Sequence, residues 1–219
     1  VAPACRRRPK YDREKEMHIS EGVLSAPVLI SGAALTVIGT AIGLKKMNYD
    51  RIPQVAIMSA AFFVASLVHV PIGPASVHLI LNGLLGVLLG WAAFPAILIA
   101  LALQGVLFQY GGLTSLGVNT FNMAMPAVVF YLVCGPLVRN TSPATAAAGS
   151  FLAGFGAVLL AGLFTGLSLF FTGESFLTAA QAIVAAHLPV MVVEGLVTLI
   201  CVQFLKKVRP EVLYALKAV

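Results

Sequence analysis

The sequence predicts an all-α, polytopic transmembrane bundle of about seven helices, and three observations carry that prediction. Hydrophobic residues make up 59% of the 219-residue chain, charged residues only 10%, and the mean hydropathy is +0.97. A water-soluble domain has roughly a quarter of its residues charged. Apolar runs approaching the ~20 residues needed to cross a bilayer recur along the chain. None of them alternates with period two, so of the two architectures that satisfy the backbone in lipid, helices and closed barrels, only helices fit.

The apolar runs place helices at about 27–44, 53–68, 76–90, 93–110, 118–138, 144–171 and 177–205. The third is short, and a tight turn from Trp91 to Pro95 joins it to the fourth. Elsewhere Pro, Gly, Asn and Ser punctuate the connections at 45–51, 69–74, 111–117, 139–143 and 172–175, the residue types that end helices and build turns. No internal repeat is evident, and residues 17–219 read as one transmembrane domain.

Charge gives an orientation. Lys45, Lys46 and Arg51 lie in the first connection, Arg139 in the fifth, and Lys206, Lys207, Arg209 and Lys217 in the C-terminal tail. In a seven-span bundle all of these fall on one side, and cytoplasmic loops collect Lys and Arg. The C-terminus is therefore expected in the cytoplasm and the segment before the first helix outside. This distribution also explains the net charge of +6 without a nucleic-acid partner. Residues 1–16 carry six basic and three acidic residues, against that orientation, and have no apolar core of a secretory signal. They are expected to be a mis-assigned start or a disordered leader, with synthesis beginning at Met17. Cys5, Cys134 and Cys201 are too widely spaced for a thiolate metal site or a disulfide framework.

The segment Met17-His18-Ile19-Ser20-Glu21-Gly22, directly before the first helix, carries the sharpest chemistry. A free amine on Met17, the His18 peptide nitrogen and the His18 imidazole Nδ1 close adjacent five- and six-membered chelate rings. Such a planar nitrogen set suits Ni(II), Cu(II) and Co(II). His78 is the candidate fourth nitrogen, expected at the start of the third helix with Asn82 one turn on to orient it. His69, at the edge of the same loop, is the rival and reads better as a solvated loop histidine. Asn119 is a candidate for the shell around the ligands. Gln104 and Asn122 serve equally well as helix-to-helix glue or as site residues. His187 and Glu194, seven apart on one helix face, read as a structural polar pair, with contact to the metal segment as the alternative. No nucleophile elbow, phosphate-binding loop or catalytic carboxylate pair is present, so enzymatic activity is not expected.

The strings MHISEG, VPIGPASVHLILNG, LLGWAAFPAI, LQGVLFQYGGLTSLGVNTFNM and AHLPVMVVEGL, in that order, resemble the CbiM/NikM family. These are the substrate-capture (S) components of energy-coupling-factor transporters for cobalt and nickel. The resemblance runs from residue 17 to about 210 and implies seven helices with an external N-terminal loop folded back into the bundle. It implies that Met17 and His18 form the N-terminal chelate, that His78 is the second histidine ligand and that Asn119 belongs to the surrounding shell. Glu21 resembles the cobalt branch. The implied partners are a transmembrane coupling protein, paired cytoplasmic ATPases and a small accessory membrane protein, in a bacterial inner membrane, with no cofactor beyond the transported ion. Ala56 and Ala60 supply the small-residue spacing with which S components approach the coupling protein, or with which helices pack inside one chain. The alternatives of a different class are an S component for an organic solute, or a membrane enzyme using the same histidines; a channel is a third.

Overall fold

The computed structural model describes residues 19, 22–72, 75–173 and 177–214, with the side chains of 69–72, 75–77, 177–180, 182–184, 186 and 214 left aside. Seven helices build the bundle: α1 (Ala26–Lys46), α2 (Ile52–Leu67), α3 (Asn82–Leu89), α4 (Ala93–Phe108), α5 (Leu116–Val138), α6 (Pro143–Phe170) and α7 (Leu177–Val208). A short α8 (Pro210–Tyr214) follows. Proline sits in the first turn of α1, α2 and α6, where its missing N–H has no helical partner to lose. Lys45 and Lys46 close α1, and Lys206 and Lys207 close α7, cations where the helix dipole favours them.

The third predicted helix needs correction. Two antiparallel strands, β1 (His69–Ile72) and β2 (Ala75–His78), pair here as a hairpin, and α3 begins only at Asn82. His78 therefore ends a strand and does not open a helix, and Asn82 does not follow it by one helical turn. Leu81, in left-handed conformation at φ 55°, makes the corner between them.

Contacts between neighbours fix the direction of each pass. Ser59 donates to the Ala96 carbonyl and Gln104 to Ser66, so α2 and α4 run in parallel. Asn82 reaches the Met123 carbonyl and Arg51 the Leu88 carbonyl, so α3 runs alongside α5 toward the connection between α1 and α2. The stretch Asn82–Phe108, one of five among the described residues long and apolar enough to cross a membrane, is thus folded back on itself. The reversal is the 3-10 turn at Gly90–Ala92, where Gly90 holds φ 58° and ψ −127°, a conformation that only glycine adopts cheaply. The expected tight turn between the third and fourth helices is there.

One end of the bundle gathers the charge. Lys46 lies over the Trp91 ring, Arg139 over Tyr131, and Lys206 donates to the carbonyls of Val138 and Asn140. At the opposite end are the two strands, residues 19 and 22–25, the connection from α4 to α5 and the end of α6, tied by Ser25 N–H to Thr172 Oγ1 and by the Phe63, Phe108 and Tyr110 rings. The first is the basic end of the bundle and the second its hairpin end.

Lipid offers helices no hydrophobic reason to associate, so close backbone approach has to do it. Gly32, Thr36, Gly39 and Gly43 form the buried stripe of α1. A Cβ on Gly43 would lie 2.5 Å from the Trp91 carbonyl oxygen, and one on Gly83 2.6 Å from the Gly154 Cα. Ala56 and Ala60, by contrast, are exposed on the outer face of α2 beside Ile57 and Val64, so packing within this chain does not use them.

Candidate metal site

At the hairpin end, α5 begins with Ser115 as N-cap residue and presents Asn119 one turn later. Both are buried, and both face a segment nearly a hundred residues away. Asn119 Oδ1 accepts the Ile19 N–H at 3.3 Å, its Nδ2 donates to the Ile19 carbonyl at 3.2 Å, and Ser115 Oγ donates to the same carbonyl at 2.7 Å. The side-chain amide thus satisfies both polar groups of one residue, as a neighbouring β-strand would. Ile19 and Leu24 pack with Val118 and Leu169, while Thr36 Oγ1 donates to the Gly117 carbonyl at 2.6 Å and seats α1 on the start of α5. Ile19 is thus clamped to the start of α5.

His78 lies at the end of β2 and is 2% exposed. Its Nδ1 is 3.0 Å from the Leu79 carbonyl oxygen. A carbonyl only accepts, so Nδ1 carries the proton, and in the neutral ring Nε2 keeps the lone pair a metal ion needs. The hairpin register pairs the backbone of His69 with that of His78, and the His69 side chain lies outside the described residues. So do Met17, His18 and Glu21.

The other candidates divide. Asn82 is fully buried and its Nδ2 donates to the carbonyls of Met123 and Ala157, joining α3 to α5 and α6; it does not orient His78 from a shared helix. Gln104 bonds Ser66 between α4 and α2, and Asn122 bonds Ser168 between α5 and α6. These three are helix-to-helix ties. His187 is buried on α7, which packs against β2. Glu194, with 0% exposure, accepts the Ile80 and Leu81 N–H groups, the latter at 2.9 Å. Sequence reasoning missed Ser115, which reads as one more turn residue in Gly111-Gly-Leu-Thr-Ser115, and missed the backbone partners of Glu194.

Replacing Asn119 with leucine keeps the branching of the side chain, at some added volume, and removes both of its bonds to Ile19. Two hydrogen bonds are worth about 1–3 kcal/mol together. Hydrogen exchange at the Ile19 amide is therefore expected to rise about tenfold or more, with exchange in the core of α6 unchanged. An Ile19 amide equally protected in both proteins would show that the clamp is not what holds this segment.

The helical membrane bundle carries a clamped residue ahead of its first helix and a buried histidine at the end of a hairpin, and comparison with known proteins gives the class. A family model described as the cobalt uptake substrate-specific transmembrane region, CbiM, matches residues 18–212. The chain belongs to that family: it is a multi-pass membrane component for transition-metal uptake and not an enzyme. It is 42% identical over 202 residues to a Haemophilus influenzae protein named for metal transport, covering 90% of this chain and 97% of the relative. It is 31% identical over 219 residues to the cobalt transport protein CbiM of Sorangium cellulosum, covering 93% and 97%. A fused nickel transport protein NikMN of Rhodobacter capsulatus is 35% identical over 153 residues, 67% of this chain and 42% of the relative. The solved structure of a truncated transition metal transporter matches with TM-score 0.70 at 30% identity, over 87% of this chain and 98% of that one.

Proposed function

We propose that the chain is the substrate-capture component of an energy-coupling-factor importer for Co(II) or Ni(II), holding the ion between Met17-His18 and His78. The clamp on Ile19 is the observation that carries this reading. One residue spans at most about 3.6 Å, so the anchoring of Ile19 at the hairpin end, where His78 is buried, supports a ligand role for the residue that precedes it. Among the described residues no three His, Cys, Asp or Glu side chains converge on one point, which fits a site completed by the N-terminal segment. In the form of the chain that begins at Met17, its amine, the His18 amide and the His18 Nδ1 supply three nitrogens, and His78 the fourth.

Relatives are named for cobalt and for nickel, and a planar nitrogen set accepts either ion. Glu21 leans the reading toward cobalt. The transport cycle belongs to partners: a transmembrane coupling protein, cytoplasmic ATPases and a small accessory membrane protein. The exposed Ala56 and Ala60 on α2 suit close approach by a helix of the coupling protein. The basic end faces the cytoplasm and the hairpin end faces outside.

Two measurements test this. Protein beginning at Met17, purified in detergent, is expected to bind one Co(II) or Ni(II) per chain; the absence of stoichiometric binding by that form would remove the reading. In intact cells, a cysteine-free background carrying Gly112→Cys is expected to react with a membrane-impermeant thiol reagent, and one carrying Lys207→Cys is not. The reverse pattern would invert the orientation.

A further inference from the structure

Helix α3 is buried at all eight of its residues, so the polar groups at both its ends need partners from the protein itself. At the C-terminal end, the Leu88 carbonyl accepts from Arg51 Nη2 at 2.7 Å and from Gln54 Nε2 at 3.3 Å. Before the N-terminal end, Glu194 of α7 receives Ile80 N–H and Leu81 N–H, with Oε1 and Oε2 at 2.9 and 3.1 Å from Leu81 N. A carboxyl ahead of the helix and a guanidinium behind it match the sign of the helix dipole.

Glu194 does more than cap. Left-handed backbone at a non-glycine residue costs roughly 1–2 kcal/mol and persists only where its surroundings hold it; at Leu81 the carboxyl of Glu194 does so. The Ile80 N–H that Glu194 receives belongs to the same peptide unit as the Leu79 carbonyl, and that carbonyl accepts from His78 Nδ1. The order of atoms is therefore carboxyl oxygen, peptide N–H, peptide C=O, imidazole Nδ1–H. Each bond in such a chain polarises the next, strengthening it by about 10–30%. Metal-binding histidines commonly donate their second nitrogen to a carboxylate or carbonyl, which fixes the tautomer and ring orientation. In this chain one peptide group stands between the carboxyl and the imidazole.

We infer that Glu194 is a positioning residue for His78, acting through the Leu79–Ile80 peptide to hold Nδ1 protonated and Nε2 available to the transported ion. The inference rests on the reading of His78 as a ligand given above. It assigns the buried acid of α7 to the metal site, although Glu194 does not touch the ion.

Two experiments test it, and the first needs no variant. In metal-free protein beginning at Met17 with nitrogen-15 histidine, the His78 ring is expected to show the Nδ1–H tautomer at pH 8; an Nε2–H tautomer overturns the inference. In the second, Glu194→Gln keeps one acceptor oxygen and turns the other into a donor facing Leu81 N–H. Its Co(II) affinity is expected to fall 10- to 100-fold, the range seen when the partner of a metal-binding histidine is removed. In a His78→Ala background the same change is expected to do nothing more. Glu194→Gln with wild-type affinity, or an equal further loss in the His78→Ala background, overturns the relay. Ser59→Ala, which breaks a buried bond between α2 and α4 further from the hairpin, is expected to leave both the tautomer and the affinity alone. If His78→Ala by itself binds Co(II) as wild type does, the ligand reading fails instead, and the tautomer still reports on the relay.

Discussion

His18→Ala and His78→Ala are each expected to weaken Co(II) and Ni(II) binding by more than about 100-fold, beyond what losing an outer partner of a ligand costs. Each removes one of four nitrogens, and neither leaves a substitute of comparable donor strength within the N-terminal segment. His69→Ala is the informative comparison, because the hairpin register sets His69 opposite His78. It is expected to bind within a few-fold of wild type. Titration adds a second signature. Imidazole binds metal when neutral, and protons compete for it as pH falls through roughly 6.5. The Met17 amine and the His18 peptide nitrogen must also give up protons to bind, so affinity is expected to fall progressively from about pH 8 downward, and further through roughly pH 6.5. Isothermal titration across that range, on protein beginning at Met17, measures both. Loss of the metal in His69→Ala with retention in His78→Ala would transfer the ligand role from one strand to the other.

The lipid environment made most of the fold readable. A chain that must satisfy its backbone within each segment announces its helices as long apolar runs, and six of the seven predicted runs match a helix to within a few residues. The exception has a physical reason. From Val77 to Leu89 the sequence is almost continuously apolar, and a buried strand, an irregular turn and a buried helix share that signature. Nothing local marks Leu81 as left-handed, because what holds it there is Glu194 on another helix. Glu194 was legible as a buried acid that needed a partner; that the partner is backbone was not. Asn119 was legible as a polar residue at the right end of the bundle, but its partner, the backbone of Ile19, carries no side-chain chemistry to advertise the contact. The Ala56 and Ala60 spacing left inward and outward packing equally open, and only the exposure of α2 separates them.

Gly86→Ala is expected to destabilise the bundle severely, although it adds a single methyl group. A Cβ at this position would stand 2.7 Å from the carbonyl carbon of Ala127 and nearer still to its oxygen. Those are backbone atoms in the interior of α5, so no side-chain rotation relieves the clash, and α3 has to move away from α5. Overpacking of this kind costs about 1–3 kcal/mol and sometimes more. Here the displaced helix is also the one that Glu194 and Arg51 hold at its two ends, so separation loosens the turn after His78 as well. Gly162 on α6 is the control, since nothing lies within 4 Å of where its Cβ would be. Alanine there adds helix propensity worth up to about 1 kcal/mol and meets no obstacle. Thermal unfolding in detergent is thus expected to shift down by many degrees for Gly86→Ala and to stay level or rise for Gly162→Ala. Equal melting of Gly86→Ala and wild type would mean that α3 does not lie against the α5 backbone, and the route from His78 to Leu88 through the buried α3 would have to be redrawn.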